Sequence, residues 1–219
     1  MARLCSVGAV VFDVEGTLVD TGGCWSRALE SILGPSGLSL STNLRGQLVG
    51  ASIGETCAAL RTVMRPEGSG RDLESRLERA VVAELRHLGC EPIAGARELV
   101  SQVANRYKVA VASGSPSSIV NTILSLSGLD DLVTVRVTAD DVRRTKPYAD
   151  VYLRACERLG VEPCLVVAVE DSVQGVISAY NAGLTVVQIG SSARMDGAAY
   201  RFADLRSIGL RSLLGVAET

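Results

Sequence analysis

The sequence predicts an α/β protein: a doubly wound, mostly parallel sheet with a small helical bundle inserted after its first strand. Three observations in the 219 residues carry that expectation. Short runs rich in Val and Ala alternate with amphipathic helical stretches through the second half of the chain, the rhythm of parallel strands joined by crossover helices. The first such run stands apart from the others, separated by a block with helical periodicity and no strand. Several of the runs end in a carboxylate or hydroxyl beside glycine or serine, at the sheet edge where open α/β folds hold their ligands.

In chain order, Val7 to Phe12 reads as the first buried strand. From Gly22 to about Glu91 the period changes to that of a helix. Trp25, Ala28, Leu29 and Ile32 share one face, and Gly34-Pro35 ends that segment. Leu44, Leu48, Ile53, Cys57, Leu60 and Met64 continue in two pieces around Gly50; residues 65–70 read as a loop. Leu73 to Leu88 forms a last amphipathic helix closed by Gly89. Arg71 and Glu78 read as a solvated face. The α/β rhythm then begins: helix 94–105, strand Lys108–Ala112, and a helix with Ser115 as N-cap and Pro116 at its first position, running to Leu126. Strand Leu132–Val137, helix Tyr148–Leu159, strand Leu165–Val169, helix Ser172–Ala182 and strand Thr185–Ile189 follow. The tail gives a short edge segment after Ala199 and a helix from Ser207. The core resembles a Rossmann-like sheet.

Composition excludes several classes. The chain is 47% hydrophobic and 21% charged, so it is globular, and its net charge of −2 without a basic run argues against a nucleic-acid partner. Six cysteines, at 5, 24, 57, 90, 156 and 164, form no Cys-x-x-Cys pair, and His87 is the single histidine, which leaves little for zinc. They read as reduced core thiols of a cytoplasmic protein. The apolar start is too short and too acidic for a signal peptide, and no run reaches membrane-spanning length.

Four stretches carry chemistry. Asp13-Val14-Glu15-Gly16-Thr17 sets two carboxylates at the end of the first strand, with Gly16 permitting the turn. Ser113-Gly114-Ser115 ends the next core strand in a hydroxyl that can donate to an anion, at a helix start whose N–H groups favour one. Lys146-Pro147 offers a cation before a helix; Arg143 and Arg144 read as surface charges. Val169-Glu170-Asp171-Ser172 ends an apolar strand in adjacent carboxylates that point to opposite sides. Oxygen donors of this kind suit Mg²⁺. A helix cap at Asp171 and a plain Ser cap at Ser115 are the alternative structural readings.

These four stretches, in this order, resemble the motifs of the haloacid dehalogenase-like hydrolases. Asp13 to Asp20 is similar to that family's DxDGTLxD motif. Ser113 matches its second-motif hydroxyl, Thr145 to Tyr152 its Lys-Pro-x-Pro-Asp-x-Tyr segment with Ala149 in place of Pro, and Val169 to Ser172 its acidic fourth motif. The resemblance implies a core of residues 1–20 and 92–219 under a helical cap of residues 21–91. It implies Asp13 as nucleophile, Glu15 as acid and base, and Ser113, Gly114 and Lys146 around the phosphate. Magnesium would be held by Asp13, the Glu15 main-chain carbonyl and Asp171, with Glu170 acting through water. The expected activity is hydrolysis of a small phosphate monoester, a sugar phosphate or similar metabolite, through an aspartyl-phosphate, by a monomer or weak homodimer without nucleic-acid or membrane partners.

Glu15 departs from the usual Asp. Its extra methylene shifts the carboxyl, yet enolase-phosphatases of the family also carry Asp-x-Glu-Gly-Thr. The chain also resembles β-phosphoglucomutase, but gap-free matching sets Trp25 and Ile53 where that mutase has polar cap groups, which favours hydrolysis over phosphomutation. A non-catalytic phospholigand-binding protein is the remaining alternative.

Overall fold

The central strands are short apolar runs buried on both faces, and which side chains turn to which face decides how the sheet is covered. In the computed structural model, which describes residues 7–48, 50–64, 70–190 and 193–216, six strands form one sheet: β1 (Ala9–Phe12), β2 (Lys108–Ala112), β3 (Val135–Val137), β4 (Val166–Glu170), β5 (Thr185–Ile189) and β6 (Tyr200–Phe202). Their order is β3-β2-β1-β4-β5-β6, and every pairing is parallel. The direction of winding reverses between β1 and β4, so the crevice beyond their carboxyl ends is a topological switch point. Register aligns Phe12 with both Val111 and Val169. The next residues, Asp13, Ala112 and Glu170, therefore stand at one level, with Ser113 one step beyond.

Successive side chains alternate between faces. Ala9, Val11, Ala110, Ala112 and Ala168 turn to the face covered by α7 (Asp150–Leu159) and α8 (Val173–Asn181). These small residues let the two helices approach closely. The other face presents Val10, Phe12, Val111, Val167 and Val169 to α5 (Ala96–Ala104), α6 (Ser117–Leu126) and α9 (Ile208–Leu214). Each fully buried branched or aromatic side chain contributes about 1.5–3 kcal/mol.

Between β1 and α5 lie α1 (Gly22–Leu33), α2 (Thr42–Leu48), α3 (Ile53–Val63) and α4 (Gly70–Leu88). α1 and α3 pack on α4, and α4 packs on α6. Cys24, Ala28, Leu29, Ile32, Cys57, Leu60, Leu77, Val81 and Leu85 extend the same apolar cluster that covers the sheet. Ser52 and Glu55 form a reciprocal capping box at the start of α3.

Several boundaries differ from expectation. The first strand begins at Ala9, not Val7. Before β3 the chain makes a short 3-10 turn at Asp130–Leu132, and only the last three residues of the expected strand pair with β2. Ser115 does not cap α6: the helix starts at Ser117, whose N–H and hydroxyl both donate to Asp140 from another segment, at 2.9 and 2.6 Å. That carboxylate satisfies an orphan helix donor and leaves Ser115 available elsewhere. α7 starts at Asp150 rather than Tyr148. Glu78 is not simply solvated: it accepts from Ser118 and ties α4 to α6. Of the cysteines, 24, 57, 90 and 156 are buried and free, but Cys164 is free and exposed, in the turn that leads into β4. Cys5, residues 65–69 of the expected loop and the Arg71 side chain lie outside the described residues. No helix among them is long and apolar enough to cross a membrane.

Candidate active site

The sequence places carboxylates at strand ends; the sheet order brings them together. Asp13 follows β1, and its N–H donates to Val169 of β4 at 3.0 Å, which fixes its backbone beside Glu170. Lys146 arrives on the loop before α7 and is buried. Its ammonium donates to Asp13 Oδ1 and Glu170 Oε1, both at 2.5 Å. Burial alone would lower the lysine pKa, but the two carboxylates outweigh it and hold the ammonium charged above its ordinary range.

Glu170 is fully buried and accepts from every side. Oε1 takes the Tyr152 hydroxyl at 2.6 Å as well as Lys146; Oε2 takes the N–H groups of Asp171 and Ser172 and the Ser172 hydroxyl. Burial, then the Glu170 charge, pushes the Tyr152 phenol well up, so it stays a donor. Gly175, one turn into α8, gives this carboxylate its space: a Cβ there would overlap both oxygens. Ser172 caps α8 by accepting from the Gly175 N–H at 3.0 Å, so Asp171 is not the cap and is free to face the crevice. Its Oδ1 accepts from Thr17 at 3.1 Å. Gly16 sits against it with φ +91°, where a side chain would be both strained and in collision with Oδ2.

Asp13, Glu170 and Asp171 each offer an oxygen within 4.8 Å of the others. One ammonium faces three carboxylates. Burial and then, against the opposing pull of Lys146, the neighbouring carboxylates hold the Asp13 pKa well above its ordinary value. Burial, then Glu170, raises Asp171 to about 6. Asp13 Oδ2 is buried without a hydrogen-bond partner. A surplus of buried negative charge, an orphaned carboxylate oxygen and an all-oxygen donor set together fit a hard divalent cation.

The Glu15 side chain points elsewhere. Its Oε2 accepts from Thr21 at 2.8 Å and from the Trp25 indole N–H at 2.5 Å, and its Oε1 accepts from Ser115. Helix α1 and the segment before it are thereby tied to β1 and to the β2 end. Asp13, Glu15, Ser113, Gly114, Lys146 and Asp171 all line one cavity of about 590 Å³, roofed by residues of α1 and of the segment around Gly50. Ser113 is buried and its Oγ accepts from the Ser115 N–H at 3.1 Å. No protein atom crowds Gly114, so the open space beside it belongs to the cavity.

Every site residue expected from the sequence except Glu170 thus lines the crevice, and Glu170 lies directly beneath it. Sequence reading missed the partners. Tyr152 could have been found from its place on the buried face of α7, and Ser115 from its hydroxyl two residues past Ser113. Thr17, Thr21 and Trp25 carry no such signal, because their roles depend on where α1 and the turn after β1 fold back.

Known proteins agree with this architecture. The family model for haloacid dehalogenase-like hydrolase matches residues 10–189. The chain is 31% identical over 180 residues to a phosphorylated carbohydrates phosphatase of Thermotoga maritima, covering 80% of this chain and 82% of that one. It is 28% identical over 212 residues to hexitol phosphatase B of Escherichia coli strain K12, covering 94% and 93%. The crystal structure of CbbY from Rhodobacter sphaeroides in complex with phosphate shares the fold, with a TM-score of 0.83 at 22% identity over 96% of this chain and 100% of that one. With the switch-point carboxylates, the buried lysine and this match in hand, the chain belongs to the haloacid dehalogenase-like hydrolases.

Proposed function

We propose that the protein is a phosphatase that hydrolyses a small sugar-phosphate-like monoester through an aspartyl-phosphate on Asp13. The observation that carries this reading is the state of Asp13. One oxygen is held by Lys146, while the other is buried without a partner in a cavity large enough for a phosphorylated metabolite. The relatives named for phosphorylated carbohydrates and hexitol support the substrate class.

In this mechanism Asp13 Oδ2 attacks phosphorus, and the bond from phosphorus to the leaving oxygen breaks. Glu15, entering as the acid, gives its proton to that oxygen. Glu15, now a carboxylate, takes a proton from water; the water oxygen attacks phosphorus, and the bond to Asp13 breaks, restoring both residues. Dividing the reaction in two is covalent catalysis. The hydroxyls of Thr21 and Ser115 can accept as well as donate, so they accommodate both forms of Glu15. Lys146 offsets the repulsion between Asp13 and the anionic phosphoryl group, and Ser113 and the Gly114 backbone cradle its oxygens. Glu170 fixes Lys146 from below. Asp13 and Asp171 are the residues that would hold Mg²⁺, joined by the Glu15 carbonyl; when bound it would neutralise phosphoryl charge. The helices from 22 to 88 serve as the cap that excludes water from the reaction.

Turnover of p-nitrophenyl phosphate with Mg²⁺, its loss in EDTA, and its loss in a folded Asp13→Asn variant test the reading. Substantial activity in Asp13→Asn would refute the covalent mechanism. A folded wild type inert toward a full panel of phosphate monoesters would leave a phospholigand-binding protein instead.

A further inference from the structure

The cavity's described cation, Lys146, is paired with Asp13. Asp13, Lys146 and Asp171 stand at the phosphoryl site. Apolar lining comes from α1 and from the chain between α1 and α3: Trp25, Leu29, Leu40, Leu48 and Ala51. Two of the hydroxyls set among them are already engaged: Ser52 donates to Glu55 and Ser26 to the Gly22 carbonyl, both at 2.8 Å, which leaves the buried Thr56 as a further hydroxyl of the lining. The charged group on that side is Asp20, an anion at the rim. Among the described residues, Lys146 is the one cation lining the cavity.

We propose, resting on the phosphatase reading above, that this compartment is a charge filter. It admits a monophosphate whose leaving alcohol is uncharged and offers an apolar face to Trp25, and it rejects bisphosphates of the same skeleton. A second phosphate seated against these walls would lose water and, among the described residues, would gain no cation and at most the Thr56 hydroxyl, and an unpaired buried charge is costly. Asp20 adds repulsion at the mouth. Trp25 is tethered through its indole N–H to Glu15, the group that protonates the leaving oxygen. Its ring therefore stands beside the first carbons of the leaving group, where a sugar or polyol presents C–H surface. Specificity of this kind works by denying the wrong substrate a partner.

The test uses matched pairs: fructose 1-phosphate against fructose 1,6-bisphosphate, and glucose 1-phosphate against glucose 1,6-bisphosphate. The expected kcat/KM ratio is on the order of 100 in favour of each monophosphate. The same four compounds are titrated by calorimetry against Asp13→Asn with Mg²⁺, which reads the filter without turnover and should give the same preference. Ala51→Lys, which puts an ammonium on the neutral wall, should narrow the ratio at least tenfold; a filter by size would not respond. Ratios within threefold in both measurements, or a ratio that Ala51→Lys leaves unchanged, would overturn the proposal. Selective binding of monophosphates by a protein that hydrolyses none would instead support the filter and remove the phosphatase reading.

Discussion

Replacing Gly175 by alanine should destabilise this protein, although helix propensity alone predicts the opposite. Gly175 lies in α8 with ordinary helical backbone, where alanine is favoured by about 1 kcal/mol. A Cβ at this position would approach both oxygens and Cδ of Glu170 closer than the 3.0 Å that real Cβ atoms keep. Glu170 is fully buried and cannot move without disturbing Lys146 and Tyr152, which it holds at 2.5 and 2.6 Å. Loss of one or two hydrogen bonds to a charged group costs about 1.5–3 kcal/mol each. After the propensity gain, the net loss is about 0.5–5 kcal/mol. Urea unfolding of wild type and Gly175→Ala measures it, with Gly54→Ala in α3 as control; a Cβ at Gly54 meets nothing within 4 Å, so that change should be neutral or stabilising. In a Glu170→Asp background, whose shorter carboxylate retreats from α8, the cost of Gly175→Ala should shrink. A Gly175→Ala protein as stable as wild type would refute the reasoning, and with it the view that the glycine exists to seat the buried carboxylate.

Other predictions follow from the same site. Trp25→Phe keeps an aromatic ring but removes one of three donors to Glu15, and should lower kcat about tenfold with little change in KM; an equal rise in KM alone would mean the indole only contacts substrate. Without metal, Asp171 has its folded pKa raised to about 6, so the stability it contributes is present below the ordinary carboxylate value and is lost as pH rises from about 4 to 6. Unfolding in EDTA should therefore show a stability decline over that window, and Mg²⁺ should restore more at pH 7.5 than at pH 5; the reverse order would contradict the metal assignment. Burial pushes the thiols of Cys57, Cys90 and Cys156 up to about 11, so peptide mapping after brief alkylation at pH 8 should find Cys164 modified and these three intact.

Much of the molecule was legible in the sequence. The strands at Lys108–Ala112 and Thr185–Ile189 have the ends that periodicity predicts, because buried parallel strands are short apolar runs bounded by polar turns. The order of Asp13, Ser113, Lys146 and Asp171 along the chain, each near a strand end or before a helix, was enough to expect one site. What periodicity could not read was where long-range partners end an element. Asp140 caps α6 from outside, so Ser115 is displaced from the capping role its sequence suggests and bonds to Glu15. Likewise, two adjacent carboxylates are equivalent in sequence. Only the packing of α7 and α8 makes them different: Tyr152, Lys146 and the room left by Gly175 draw Glu170 into the interior, while Ser172 takes the helix cap and leaves Asp171 facing the cavity. Local sequence determines which groups reach the sheet edge. Their individual charge and freedom depend on burial and on partners up to 154 residues away, as between Thr17 and Asp171, and these exist only once the sheet has brought β1 beside β4.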